Sequence, residues 1–288
     1  MTTQPAAPRG PAGARPAAAL LPIYRGPLPQ ATHQHGSPIE RLPVTVYEQP
    51  GDASRAVARE IAELVQSRAA AGRKTVLGLA TGSTPVGVYD ELIRLHREEG
   101  VSFRSVVTFN LDEYWPMDRG ALQSYHRFMR EHLFDHLDIP AESIHIPDGT
   151  LSRQDVFSAC EKYEEAIRAA GGIDLQILGI GRTGHIGFNE PPSPVDTRTR
   201  WVHLDEVTRR DNSVFFGDLA KVPQGALTMG VATILEAKRV ELIAFGEAKA
   251  DVVRRAIQES PSPDCPATWL QQHTRCTFHL DAGAARTL

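Results

Sequence analysis

Apolar and polar positions alternate along this chain in a way that predicts strands and helices following one another in turn. Short apolar runs of strand length are separated by longer stretches in which apolar residues recur with the spacing of one helical face. The predicted strands span residues 43–47, 75–80, 106–109, 173–178, 240–245 and 276–280. The predicted helices span residues 52–72, 85–100, 124–136, 157–170 and 248–259, with Asp52 as the expected N-cap of the first.

This alternation indicates the fold class. A strand, a helix and a further parallel strand join through a right-handed crossover, which places helices on the faces of one sheet. We therefore expect an α/β protein with an open, mostly parallel, Rossmann-like sheet and helices on both faces. Residues 41–288 contain no linker-like stretch and predict a single domain, whereas residues 1–40 are rich in proline, alanine and glycine and predict a disordered tail.

Composition narrows the range of partners. Hydrophobic residues make up 41% of the 288, enough for one full core, and the formal net charge is -4. Because there is no positive excess, neither nucleic acid nor an anionic membrane is an expected partner. No apolar run reaches the roughly 18 residues of a membrane span. The three cysteines lack Cys-x-x-Cys spacing, which argues against disulfides and a metal site and favours a reducing cytoplasm.

Three polar segments follow predicted strands, and the first of them suits an anion. In parallel sheets, ligands bind beyond the carboxyl ends of the strands. Thr81-Gly-Ser-Thr-Pro85 joins a strand to a helix, so backbone N–H groups around Gly82 and the hydroxyls of Thr81, Ser83 and Thr84 can hold a phosphate. The alternative that the pattern leaves open is an ordinary capped turn.

The second segment, Asn110-Leu-Asp-Glu-Tyr114, is predicted as a loop at the end of an apolar strand. Two adjacent carboxylates at a strand end can include a general base, and Asp112 is the candidate. A solvated acidic turn is the alternative.

The third segment, residues 179–191, has the most unusual composition. It contains four glycines within nine residues, which indicates positive φ angles or a close backbone approach. His185 lies among them and Glu190 follows, a pairing typical of an imidazole oriented by a carboxylate for acid–base chemistry. A glycine-rich surface loop is the alternative. A dinucleotide site is excluded, because no acidic residue ends a second strand about twenty residues further on.

Lys249 opens the last predicted helix. A cation at a helix N-terminus is unfavourable unless it meets an anion there, so Lys249 is a candidate phosphate ligand. The alternative is a surface lysine whose apolar stem packs on the protein.

Taken together, these segments resemble the glucosamine-6-phosphate deaminases of the glucosamine-6-phosphate isomerase/6-phosphogluconolactonase superfamily. The resemblance extends from about Leu42 to Leu280. The motifs that carry it are residues 77–85, 109–114, 184–191, 226–231 and 246–249. Agreement of several such motifs in order makes the resemblance specific.

The resemblance implies conversion of glucosamine 6-phosphate and water to fructose 6-phosphate and ammonia, by ring opening and aldose–ketose isomerisation, in amino-sugar catabolism. It implies that Asp112 moves a proton between C2 and C1, and that His185, held by Glu190, assists ring opening. The turn at residues 81–84 and Lys249 would bind the phosphate. The family implies no cofactor and no metal, a small sugar phosphate as partner, and a homo-oligomer as one possible state.

Three places depart from the pattern of the best-known family members. Thr183 stands where those members carry an aspartate that orients the histidine, and threonine can hydrogen-bond but has no charge. Val214 stands where many members carry a phosphate-binding arginine. Residues 192–194 and Val202 differ from the effector site of regulated members, so allosteric activation by N-acetylglucosamine 6-phosphate is not expected.

Two other functions stay open from the sequence. Lactonases that hydrolyse 6-phosphogluconolactone share the phosphate turn and a related Gly-His segment, although residues 110–114 together with residues 188–191 favour the deaminase. A sugar-phosphate-binding regulator without catalysis is the second alternative, and Thr183 and Val214 are its best support.

Overall fold

The computed structural model describes residues 33–35 and 42–288. Its strands are β1 (His33–His35), β2 (Val44–Tyr47), β3 (Thr75–Leu79), β4 (Val106–Asn110), β5 (Asp112–Trp115), β6 (Ile144–His145), β7 (Leu175–Leu178), β8 (Arg200–His203), β9 (Gly225–Thr228), β10 (Val240–Ala244) and β11 (Cys276–Asp281). Its helices are α1 (Pro50–Ala70), α2 (Ser83–Glu99), α3 (Tyr125–His132), α4 (Val156–Ala169), α5 (Glu206–Phe216), α6 (Val231–Leu235) and α7 (Ala250–Gln258). His33–His35 of the predicted tail form β1, paired with β2. The rest of the predicted tail lies outside the described residues, and its disorder stays a prediction.

Eight of the strands form one sheet, in the order β1-β2-β11-β10-β7-β3-β4-β6. Neighbouring strands are parallel except β1 and β2, which are antiparallel. β4 lies on one side of β3, whereas β7 lies on the other, so the chain reverses its direction across the sheet at β3. Such a reversal opens a crevice at the carboxyl ends of the strands. The predicted α/β class with an open, mostly parallel sheet is confirmed.

Helices cover both faces of this sheet, as predicted. One face packs against α4 and α7 through a buried apolar cluster that includes Ile167 and Val253. The other face packs against α1, α2 and α3 through a cluster that includes Ile61, Leu92 and Met129. β3 and β10 are buried on both sides, which explains why apolar residues follow one another in them instead of alternating with exposed polar ones; Thr75 and Glu241 are their buried polar residues. Of the helices described, none is both long enough and apolar enough to cross a membrane.

A second, three-stranded antiparallel sheet in the order β5-β9-β8 was not foreseen. Because β4 ends at Asn110 and β5 starts at Asp112, the prediction that residues 110–114 form a loop is wrong except at Leu111. β5 pairs with a segment far along the chain, Asp112 with Thr228 and Trp115 with Gly225. Packing against distant neighbours, rather than a local pattern, made this acidic segment a strand.

Some predicted helix boundaries are also wrong. α1 begins at Pro50 with Gln49 as its N-cap rather than at Asp52, because proline fits the first helical position. α3 ends about one turn earlier than predicted. α7 follows a separate 3-10 turn, Glu247–Lys249, so Lys249 precedes the helix instead of lying within it.

Candidate active site

The carboxyl ends of β3 and β4 bring the first two candidate segments side by side. Leu79 ends β3 and pairs with Asn110, which ends β4, and the Leu111 N–H donates to the Leu79 carbonyl at 2.9 Å. Thr81 and Asp112 each lie two residues beyond that pair. The candidate phosphate turn and the candidate base therefore leave the sheet at the same edge.

The turn at residues 81–84 keeps the first N–H groups of α2 accessible. Gly82 is the N-cap at φ 93°, a conformation that favours glycine, and no side chain of the described residues caps the helix. Gly82 and Ser83 are exposed, while Thr81 and Thr84 are half-buried. Unpaired N–H groups at the positive end of this 17-residue helix attract an anion.

Asp112 is a buried acid with an altered protonation equilibrium. The residue is 6% exposed. Burial, and after it the negative charge of Glu113, raises the pKa of Asp112 to about 8. A carboxyl group whose pKa lies near neutrality can both accept and return a proton, which suits a group that shuttles one.

His185 is held by two partners in the third segment. Its Nδ1 lies 3.0 Å from Glu190 Oε2 and 2.9 Å from Thr183 Oγ1. The Thr183 hydroxyl donates to the same Glu190 oxygen at 2.9 Å, and the Thr208 hydroxyl donates to the other. Burial acts to raise the pKa of Glu190, but hydrogen bonds from His185, Thr208 and Thr183 outweigh it and lower that pKa. An ionised Glu190 therefore favours a proton on Nδ1 and leaves Nε2 for other partners.

The packing of the His185 ring explains why position 181 is a glycine. A Cβ atom at this position would lie 2.0 Å from His185 Nε2, so the imidazole rests directly on the Gly181 backbone. The Gly181 N–H donates to the His185 carbonyl at 2.9 Å, which closes the loop under the ring. Any side chain at position 181 would displace the imidazole.

Gly187 brings the third segment against Asp112. Its φ is +57°, and a Cβ atom there would lie 3.5 Å from Asp112 Oδ2 and 2.9 Å from Thr228 Oγ1. The next residue, Phe188, donates its N–H to the same Thr228 hydroxyl at 3.0 Å. His185 is two residues from Gly187 along the chain, so the loop that carries the imidazole runs past the Asp112 carboxyl.

Tyr125, the first residue of α3, was not found from the sequence. Its ring stacks on Phe188 with centroids 6.0 Å apart and an angle of 6°. Its phenol lies near the Thr81 side chain and the Asp112 carboxyl, both of which act on its pKa, and its ring lies 5.0 Å from that of Tyr114. Tyr125 therefore lies beside all three candidate segments. The N-cap at Ser124 signals that a helix begins here, but no local pattern shows where the tyrosine ring packs.

Lys249 contacts the third segment. Its Nζ donates to the Ile180 carbonyl at 2.8 Å. Burial lowers the pKa of Lys249, Arg182 lowers it as well, and Asp211 opposes them. Among the hydrogen bonds of residues 42–288, none joins Lys249 to the turn at residues 81–84, so their common role in phosphate binding stays a prediction.

These features define a class of protein. An open α/β sheet that presents a buried acid, an imidazole–carboxylate pair and an uncapped helix N-terminus at one edge is the layout of an enzyme for a small anionic substrate. Comparison with known families makes the class specific. Residues 48–278 match the family described as glucosamine-6-phosphate isomerases/6-phosphogluconolactonase, and the chain belongs to this family.

Individual relatives share much of the chain. Glucosamine-6-phosphate deaminase 2 of Giardia intestinalis is 48% identical over 81% of this chain and 87% of its own length. A putative glucosamine-6-phosphate deaminase-like protein of Bacteroides thetaiotaomicron is 41% identical over 87% of this chain, which spans only 38% of that longer relative. A solved monomeric glucosamine-6-phosphate deaminase is 40% identical, with a TM-score of 0.81 over 85% of this chain and 99% of its own.

Proposed function

We propose that this protein is a glucosamine-6-phosphate deaminase, which converts glucosamine 6-phosphate and water to fructose 6-phosphate and ammonia. The observation that carries the proposal is the approach of the His185 loop to Asp112, with Gly187 against the Asp112 carboxyl, next to the open N-terminus of α2. Deaminases at 40 to 48% identity support it.

Ring opening is the first step, and it needs a proton moved from the C1 hydroxyl to the ring oxygen. His185 performs it through Nε2, because Glu190 and Thr183 engage Nδ1. Fixing the ring by two partners keeps Nε2 at one position, which reduces the entropy lost in the transition state.

Isomerisation follows, and it needs one base that faces two neighbouring carbons. Asp112 takes the proton from C2 of the open-chain sugar and delivers it to C1. As the C1 carbonyl oxygen gains a proton and the nitrogen loses one, a C2 imine with a C1 hydroxyl forms, and water hydrolyses it to the ketose with release of ammonia. Burial raises the pKa of Asp112 to about 8, which makes its ionised form a stronger base toward the C2 proton than a solvated aspartate.

The phosphate binds between the N-terminus of α2 and Lys249. The N–H groups and hydroxyls of residues 81–84 provide donors, and the ammonium group of Lys249 provides charge. Lys249 is already tied to the third segment through Ile180, so a phosphate bound there would link the turn to that segment.

Ammonia release from glucosamine 6-phosphate by the purified protein tests the proposal. Asp112→Asn should lower kcat by roughly 10²- to 10⁴-fold, because the base is lost, while substrate still raises the thermal unfolding temperature. Hydrolysis of 6-phosphogluconolactone without ammonia release would identify a lactonase instead. Binding of the sugar phosphate without any product would identify a regulator.

We further propose a cytoplasmic location. Cys160, Cys265 and Cys276 are all free and buried, a state that a reducing compartment maintains. Fractionation of cells that produce the protein tests this. Homo-oligomer formation stays a prediction, since one relative is monomeric, and light scattering of the purified chain measures it.

A further inference from the structure

Glu113 is a buried carboxylate for which the proposed chemistry has no use. It follows Asp112 in β5 and is 1% exposed. Neighbouring side chains of a strand point to opposite faces, so Glu113 lies behind Asp112 rather than beside it in the site. Because burying a carboxylate is costly unless donors surround it, the partners of Glu113 indicate what it does.

Three backbone N–H groups and one imidazole surround this carboxylate. Oε1 accepts from the Tyr114 N–H at 2.9 Å and from the Tyr125 N–H at 3.0 Å. Oε2 accepts from the His126 N–H at 3.1 Å and lies 3.1 Å from His126 Nδ1. Tyr125 and His126 open α3, where N–H groups have no partner inside the helix. Glu113 therefore caps α3 and joins it to β5.

Tyr125 is the residue that this cap positions. Its backbone N–H donates to Glu113, while its ring stacks on Phe188 and its phenol lies near the Thr81 side chain. A shift of the start of α3 would therefore move a side chain that packs on the third segment and lies beside the phosphate turn.

The charge of Glu113 also acts on Asp112. Among the described residues, the charge of Asp112 acts on the pKa of four phenols, and burial raises the pKa of each, so they are neutral near pH 7. They come from four elements: Tyr89 of α2, Tyr114 of β5, Tyr125 of α3 and Tyr163 of α4. Among the described residues, the charge that shifts the Asp112 equilibrium is that of Glu113, and it favours the protonated acid.

We propose that Glu113 is a positioning residue of the deaminase site, which holds the start of α3 and Tyr125 in place and sets a fixed negative charge behind Asp112. The inference rests on the proposed function. It adds a residue that contacts neither the sugar nor the phosphate and acts through Tyr125 and Asp112.

Glu113→Gln tests both parts, because it removes the charge and turns one acceptor into a donor that faces the His126 N–H. The carboxyl carbon signal of Asp112, assigned by its absence in Asp112→Asn, is followed by NMR during a pH titration. We expect Asp112 to titrate about one pH unit lower than in the unmodified protein, because a like charge has gone. We expect kcat for ammonia release to fall roughly 10- to 100-fold, because Tyr125 is displaced.

Ser124→Ala is the matched control. The Ser124 hydroxyl caps the same helix by accepting from the Arg127 N–H at 3.1 Å, but it carries no charge. This variant should destabilise α3 while Asp112 titrates as in the unmodified protein. The proposal is overturned if Asp112 titrates at the same pH in Glu113→Gln and the unmodified protein, or if both variants lower kcat equally.

Glu113→Asp serves if Glu113→Gln does not fold. It keeps the charge but shortens the side chain, so kcat should fall while the Asp112 titration stays within a few tenths of a pH unit of the unmodified protein; a full shift contradicts the inference. The NMR titration needs no turnover. If the unmodified protein releases no ammonia but Glu113→Gln still shifts Asp112, the proposed function fails and the electrostatic role of Glu113 stands.

Discussion

At the scale of single residues, the burial of Asp112 links its chemistry to the stability of the fold. Burial raises the pKa of this carboxyl group in the folded chain, so it holds its proton there to a higher pH. In the unfolded chain the group has the pKa of a solvated aspartate. The same property that suits Asp112 to proton transfer therefore makes the folded state sensitive to pH.

Stability should fall with rising pH on account of Asp112, and Asp112→Asn should remove that fall. The pKa of this group is about 8 in the folded chain, against 3.8 for a solvated aspartate. The contribution of Asp112 to the free energy of unfolding is complete below about pH 4 and declines by ~1.4 kcal/mol per pH unit between about pH 4 and about pH 8. Urea unfolding at pH 5, 7 and 9 measures it. A difference between the two proteins that is constant over this range would contradict the prediction.

Thr183 offers a second prediction, because its hydroxyl contacts both His185 Nδ1 and Glu190 Oε2. Thr183→Val keeps the shape but removes the hydroxyl, so the imidazole loses one of its two partners and kcat should fall about tenfold. Thr150→Val is the control, since it removes an exposed hydroxyl that bonds Asp148. Equal activity of the two variants would show that Glu190 alone orients the histidine.

The sequence was sufficient to propose Asp112, His185 and Glu190 as site residues, because each lies in a short segment with an unusual pattern. Tyr125 and Thr208 could not be found in this way. Tyr125 acts through stacking on Phe188, and Thr208 through a hydrogen bond to Glu190, and both contacts join parts of the chain that are distant in sequence.

At the scale of elements, β5 shows why the surroundings of the site were harder to predict than its position. An Asp-Glu-Tyr-Trp segment lacks the apolar alternation of a half-buried strand. The segment forms a strand because β9 pairs with it. β9 also carries Thr228, whose hydroxyl accepts from the Phe188 N–H. The small sheet thus holds both the base and the loop that faces it.

Gly187→Ala should separate backbone strain from damage to the site. Both this change and Gly100→Ala place alanine at positive φ, which costs about 1–2 kcal/mol in each case. Only at position 187 does the added Cβ approach Thr228 Oγ1 and Asp112 Oδ2, whereas at Gly100 nothing lies within 4 Å. We expect both variants to lose stability and Gly187→Ala alone to lose more than tenfold in kcat/KM. Full activity of Gly187→Ala would contradict the described packing.

At the scale of the whole molecule, the parallel sheet assigns different roles to its two edges. The alternation of strands and helices predicted that the sheet is mostly parallel but not the order of its strands, and the reversal of the chain at β3 gathers the candidate residues at the carboxyl edge. β10 shows the contrast within one strand. Lys238 precedes β10 and pairs with Asp174 at 2.8 Å, whereas Lys249 follows β10 and reaches the Ile180 carbonyl.

Replacing these two lysines by methionine should therefore have different effects: Lys249→Met should weaken substrate binding, and Lys238→Met should weaken the fold. Lys249→Met removes a cation from the proposed phosphate site, so KM for glucosamine 6-phosphate should rise tenfold or more while kcat changes less. Lys238→Met removes an ion pair at the far edge, so it should leave KM unchanged and lower the unfolding temperature instead. Steady-state kinetics and thermal unfolding of both variants measure this. An unchanged KM in Lys249→Met would remove Lys249 from the phosphate site and leave the turn at residues 81–84 as the proposed anchor.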